Sequence, residues 1–201
     1  MSTKPTHPTA VKLINTVSAM LDSANPNEIY VDDVLRLSGV SRGSLYHHFG
    51  DYPSLVHATL IQRFAGNVDR DSAAMRAMAE TSTSKSDYWM RIRALSAETQ
   101  IRGRASARAE RARVINLALT DAKFGRALAV EQDRLTNTMA DAIGVAQDNG
   151  WVESTLSPRA IAVFLQAYSL GRAVDDVAST RLPNEEWVSL IETVISALEQ
   201  R

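Results

Sequence analysis

The sequence predicts an all-α protein: an N-terminal three-helix head containing a helix-turn-helix, then a larger helical body. Three observations carry this. Apolar residues recur at three- and four-residue steps along most of the chain, and no alternating strand pattern interrupts them. Helix starts and stops are spelled out by Asn25-Pro26, Asp51, Ser157-Pro158, Asn149-Gly150 and Pro183. Residues 30–56, YVDDVLRLSGVSRGSLYHHFGDYPSLV, read as two short helices joined by a tight turn and followed at once by a third helix start. The expected domains are residues 1–52 for the head and 53–201 for the body.

Residues 1–9 are polar with two prolines and are expected to be disordered. Ala10 to Ser23 forms the first helix, with Val11, Ile14, Val17, Ala19 and Leu21 as its stripe. In the next helix Val31, Val34, Leu35 and Leu37 give an apolar face, which Ser38-Gly39-Val40-Ser41 breaks. Gly39 fits a left-handed backbone position without steric penalty. Val40 is an apolar plug, and the Ser41 hydroxyl can cap the following helix. Gly50 closes that helix. At about 100° per residue, Leu45, His48 and Phe49 share the inner arc, while Arg42, Gly43, Tyr46 and His47 share the outer one. An outer arc with a cation, a residue lacking a side chain, a phenol and an imidazole suits a major groove: Arg42 can pair with guanine or phosphate, and His47 can bond a base edge. The same arc also reads as the solvated face of a small helical domain.

Asp51 and Pro53 open a helix through Leu55, Leu60, Phe64 and Val68, running towards Met78 with a weak point at Gly66. After a loop at 81–84, helices are expected over Asp87–Ile101, Ala105–Leu119, Asp121–Gln147 and Ser157 to about Ser179. The last helix carries Trp187, Ile191, Val194 and Leu198. In the helix from Ser157, Ala160, Phe164, Ala167, Gly171, Val174 and Ala178 form a seam of mainly small residues that lets another helix approach closely, within the chain or from a second copy.

Composition is that of an ordinary globular chain, with 45% hydrophobic and 22% charged residues in 201. There is no cysteine, hence no disulfide, thiol nucleophile or cysteine-type zinc site. No apolar run reaches membrane-spanning length and no signal-peptide core opens the chain, so a cytoplasmic protein is expected. His47 and His48 are adjacent and diverge, with no ligand three or four residues away, so no metal site is expected. Asp175-Asp176 lacks a histidine partner, and His57 stands alone. With no Gly-rich phosphate loop and no G-x-S-x-G elbow, neither enzyme activity nor a cofactor is expected. The Arg102–Arg113 run reads as a solvated helix face or, alternatively, a second nucleic-acid patch. One observation opposes DNA binding: residues 1–60 hold Lys4, Lys12, Arg36 and Arg42 against Asp22, Glu28, Asp32, Asp33 and Asp51.

Ser38-Gly39-Val40-Ser41-Arg42-Gly43-Ser44-Leu45-Tyr46-His47-His48-Phe49 resembles the DNA-binding signature of the tetracycline-repressor (TetR) family, A-G-V-S, a small residue, then Leu-Tyr-x-His-Phe. The resemblance is specific over residues 10–60 and architectural beyond. It implies a homodimeric, all-helical transcription regulator with a C-terminal domain for ligand binding and dimerisation. By it, Arg42, Ser44, Tyr46, His47 and His48 would contact operator DNA, with Gly43 admitting the backbone. The family's usual lysine after the recognition helix is replaced by Tyr52, which could still bond phosphate; Tyr30 stands where a threonine is usual. The last two helices would form a four-helix bundle with the partner, through Ala160, Phe164, Ala167, Gly171, Val174, Trp187, Ile191 and Val194. A small effector would sit among Tyr88, Trp89, Phe124, Phe164 and Tyr168 with Arg93 as its cation; Arg93, Thr99, Asn116 and Gln166 are further polar groups on these helices. The runner-up is a helical dimer that binds a ligand or protein and has no DNA affinity.

Overall fold

The structure, a computed structural model, describes residues 7–199. The disorder expected of residues 1–9 thus lies mostly outside the described residues; Pro8 and Thr9 already belong to the first helix. That helix, α1 (Pro8–Met20), is capped by His7, whose Nδ1 accepts from the Thr9 amide. Its buried stripe is Ala10, Leu13, Ile14 and Val17, so Ala19 faces out. A 3₁₀ turn (Pro26–Glu28) leads to α2 (Val31–Ser38) and α3 (Arg42–Phe49). The turn between them has the expected chemistry. Gly39 adopts φ 62°, where a side chain would be strained, and Ser41 Oγ accepts from the Ser44 amide at 3.2 Å. Leu37 departs from expectation: Val34 and Ser38 are buried one turn apart, which leaves Leu37 outside their arc and 56% exposed.

The head closes around Leu13, Ile14, Val17, Val34, Leu45 and Leu55. Leu55 comes from α4 (Tyr52–Thr81), capped by Asp51 at 2.7 Å from the Ser54 amide and unbroken at Gly66 for 30 residues. Further along, Leu60, Phe64 and Val68 enter a second apolar cluster. One helix therefore belongs to both cores.

The body continues with α5 (Lys85–Gln100), a 3₁₀ turn at Arg102–Arg104, α6 (Ala105–Thr120) and α7 (Ala122–Asp148). Helix α7 packs against α4, α6 and α8 (Pro158–Gly171). Ser84, Asp121 and Ser157 cap α5, α7 and α8 with their side chains. The helix expected to run to about Ser179 stops at Gly171; a turn at Arg172 leads into the short α9 (Ala173–Asp176). Tertiary bonds draw this segment away from helical continuation. Arg108 grips both Asp176 oxygens at 2.7 and 2.8 Å, and the Leu182 amide donates to Asp175 Oδ1 at 2.9 Å. Helix α10 (Asn184–Ser196) packs on α5 and ends before Leu198, whose carbonyl accepts from the Glu153 amide at 2.9 Å. Among the described residues, the only β-pairing is an isolated bridge between Val152 and Glu199.

Candidate nucleic-acid interface and ligand cavity

Helix α3 presents the arc that its sequence predicted. Leu45 is fully buried, Phe49 partly so, and Arg42, Gly43, Tyr46 and His47 are exposed. Ser44 is half-buried and joins the cap, its hydroxyl 3.1 Å from that of Ser41. His48 is half-buried, with its ring centroid 4.5 Å from His7 and 5.0 Å from His47. Desolvation, then the neighbouring His7 and His47, hold His48 below the ordinary imidazole pKa, so it is mainly neutral at pH 7. His7 is absent from the sequence-based site; its separation from His48 by 41 positions hides their contact.

Arg42 is engaged within the head by an ion pair to Asp32, and Arg36 pairs with Asp33 at 2.8 Å. The first-turn aspartates of α2 thus partner the head's two arginines. Lys12 stands beside the turn, its Nζ 3.9 Å from where a Gly39 Cβ would be. Tyr52 does something other than expected. Its ring packs into the head core and its hydroxyl donates to the Ile29 carbonyl at 2.7 Å, so its one donor is committed inside the protein.

The arginine run is a solvated face only in part: Arg104 is exposed and pairs with Glu98 at 3.0 Å, whereas other members turn inward or reach the head. Arg108 is 6% exposed and closes the Asp176 pair; Arg113 reaches the Asn25 side chain of the head at 2.8 Å. Glu110 binds Arg63 of α4 through both oxygens, at 2.8 and 3.2 Å, and Arg63 also bonds the Ser18 carbonyl and Asp22 of the head. Helix α6 is therefore tied to both α4 and the head.

The residues expected to line an effector site are mostly engaged within the protein. Tyr88, Trp89 and Phe124 fill the core at 5%, 3% and 1% exposure, and burial pushes the Tyr88 phenol up to about 12. Trp89 Nε1 donates to the Trp151 carbonyl at 2.8 Å; Arg93 pairs with Glu199 at 3.3 Å; the Tyr168 and Ser96 hydroxyls are 2.8 Å apart; Phe164 faces out. The cavity opens instead between α6, α7 and α8, where Ala118, Gly125, Ala129 and Ala167 leave room. Its volume is about 490 Å³, within the range of small-molecule sites. Leu128, Val163 and Leu170 supply apolar wall, and Arg111, Gln132 and Gln166 supply polar groups. Of these three, only Gln166 was expected near an effector; Arg111 was read as part of the basic run, although it shares a helical face with Ile115 and Ala118. A broader, more open hollow of about 760 Å³ follows the surface of α1 beside Leu37.

The expected subunit seam divides in two. Ala160, Phe164, Ala167, Gly171 and Val174 lie exposed on α8 and α9. Trp187 and Ile191 instead pack inside the chain: the Trp187 indole donates to Gln100 at 2.9 Å beneath the Arg172 guanidinium, and Ile191 is 6% exposed. Val194 is half-buried.

No family model matches the sequence, and no curated protein matches it. Solved structures match along almost the whole chain. A provisionally assigned TetR-family transcriptional regulator from Mesorhizobium loti is 16% identical over 94% of each chain, with a TM-score of 0.70. Reduced NemR from Escherichia coli is 18% identical over 95% of this chain and 97% of its own, at 0.65. A TetR-family transcriptional regulator from Pectobacterium atrosepticum is 20% identical over 96% and 95%, at 0.63. From the helix-turn-helix head through the helical body, this chain has the fold of the TetR-family transcriptional regulators.

Proposed function

We propose that the chain is a DNA-binding transcription regulator of the TetR family that acts as a homodimer in the cytoplasm, a repressor released from its operator by a small molecule. The exposed outer arc of α3 carries this reading: Arg42, Gly43, Tyr46 and His47 project together from a helix whose turn, cap and inner face are all locally satisfied. Two such helices, about 34–36 Å apart, would enter successive major grooves of a pseudo-palindromic site. The exposed face of Ala160, Phe164, Ala167, Gly171 and Val174 supports pairing through α8. The bonds of α6 to Arg63 and Asn25 support communication between the cavity and the head. A ligand that favours one arrangement of α6 would change DNA affinity by its differential affinity for the two states.

A second reading, a helical dimer with no DNA affinity, is favoured by the Asp32–Arg42 and Asp33–Arg36 pairs, which occupy the head's arginines. A gel shift on the DNA flanking the chain's own gene separates them. The parent should retard a discrete fragment, and a variant with Arg42, Tyr46 and His47 all replaced by Ala should not, while melting like the parent. Absence of any parent complex would favour the second reading.

A further inference from the structure

We propose that the cavity between α6, α7 and α8 binds a small amphipathic monoanion, with its carboxylate on Arg111 and its apolar body against the leucine and valine walls. The ligand class deepens the effector reading above and rests on it only for the consequence at DNA.

The argument starts from Arg111. It lines the cavity, yet its Nε is buried without a hydrogen-bond partner among the described residues. Its Nη2 donates to Gln166 Oε1 at 2.9 Å, a neutral acceptor. Asp71 acts on it only at a distance, and no carboxylate reaches it within ion-pair contact among the described residues. On one side its guanidinium carbon is 5.8 Å from the Phe64 ring centroid. A largely desolvated cation with a free N–H is costly to leave unpaired. A carboxylate brought against the guanidinium from the cavity would supply the missing charge and an acceptor.

The neighbouring amides are already committed. Gln166 Oε1 also accepts from Gln132 Nε2 at 2.8 Å, and Gln166 Nε2 donates to Thr136 Oγ1 at 3.1 Å and the Ala162 carbonyl at 3.2 Å. This network fixes the acceptor end of Gln166 towards Arg111. It provides orientation without offering a second cation. With one guanidinium and no second cation in the wall, a single carboxylate fits the site better than a phosphate dianion, which would need further positive charge. Leu128, Val163 and Leu170 then take an alkyl or aryl body.

The test is calorimetric titration of the full chain, free of DNA, with eight- to ten-carbon alkanoic acids, phenylalkanoic acids and the matching primary amides. At least one acid should bind about tenfold or more tightly than its amide, the minimum expected of a charge-assisted contact. In Arg111→Gln that ratio should fall to near one. Ala129→Trp, which fills the cavity from an exposed position on α7, should abolish binding of the same acid and serves if Arg111→Gln does not fold. Equal binding of acids and amides, an unchanged ratio in Arg111→Gln, unchanged acid binding in Ala129→Trp, or no binding by any probe at millimolar concentration overturns the proposal. A gel shift with the bound acid forms a separate arm. An acid that binds Arg111-dependently to a chain that retards no DNA supports the site and refutes the regulator reading.

Discussion

Asp32→Asn should tighten DNA binding, because Arg42 cannot serve Asp32 and a phosphate or base edge at full strength together. The magnitude follows from where the pair sits. The Arg42 side chain is 50% exposed and that of Asp32 81%, so the pair belongs on the scale of surface ion pairs, about 0.2–1 kcal/mol. A dimer carries two heads, and removing both competing pairs would be worth about 0.4–2 kcal/mol, or about 2- to 30-fold in affinity. If the freed guanidinium neutralises phosphate, the slope of log K against log salt should also steepen, by up to about 1.8 for two added contacts. Asp33→Asn is the matched control. It removes the same charge from the same first turn of α2, with the same loss of favourable helix-dipole interaction, but releases Arg36 rather than Arg42. Fluorescence anisotropy on a fixed operator fragment, across a salt series, would measure both quantities. Equal gains from the two variants would assign the effect to net charge alone; no gain from Asp32→Asn would remove the competition argument.

Three other outcomes follow from the geometry. Leu45→Ala should destabilise the head by about 2–5 kcal/mol, whereas Tyr46→Ala and His47→Ala should leave melting within about 0.5 kcal/mol and weaken DNA binding; paired melts and gel shifts check the separation. Gly171→Leu should give monomers of unchanged helicity in sedimentation, since a Cβ at 171 meets nothing within 4 Å inside the chain; an intact dimer would place the subunit interface elsewhere. Asp176→Ala should cost about 3–5 kcal/mol by leaving Arg108 buried without its partner. Arg108 holds the Asp176 carboxyl below its usual value of 3.8, so this contribution is complete above that pH and is lost as pH falls through the lowered native value. Thermal melts from pH 5 to 2 should therefore decline less steeply in the variant than in the parent.

The head was legible because its determinants are local. Gly39, Ser41 and Asp51 act on amides within a few residues of themselves, and the inner and outer arcs of α3 follow from helical periodicity alone. The cavity was not, because it is made by residues that are absent as volume: Ala118, Gly125, Ala129 and Ala167 come from three helices and are unremarkable in each. Aromatic residues drew the sequence-based site to Tyr88, Trp89 and Phe124, but the same periodicity describes a filled core. Charge patterning likewise could not tell that Arg108 meets Asp176, 68 positions away, or that Arg113 meets Asn25. The small-residue seam was readable as an exposed face on α8, while extending it to Trp187 and Ile191 missed the inward side of α10.

Gly125 bears on how α6 can move. A Cβ there would lie 2.5 Å from the Ala118 carbonyl oxygen, so α6 and α7 meet with no room for a methyl group. Asp121 binds the elbow from both directions: its amide donates to the Leu117 carbonyl and its side chain accepts from the Phe124 amide, each at 2.8 Å. The C-terminal end of α6 is thus tightly joined to α7, and any rotation of α6 would pivot about that end. On a rise of about 1.5 Å per residue, Arg113 sits about 7.5 Å along the axis from Ala118 and Glu110 about 12 Å. A few degrees of rotation at the elbow would therefore move the Glu110–Arg63 grip farther than the Arg113–Asn25 contact, and the pair would register it as shear between α4 and the loop before α2.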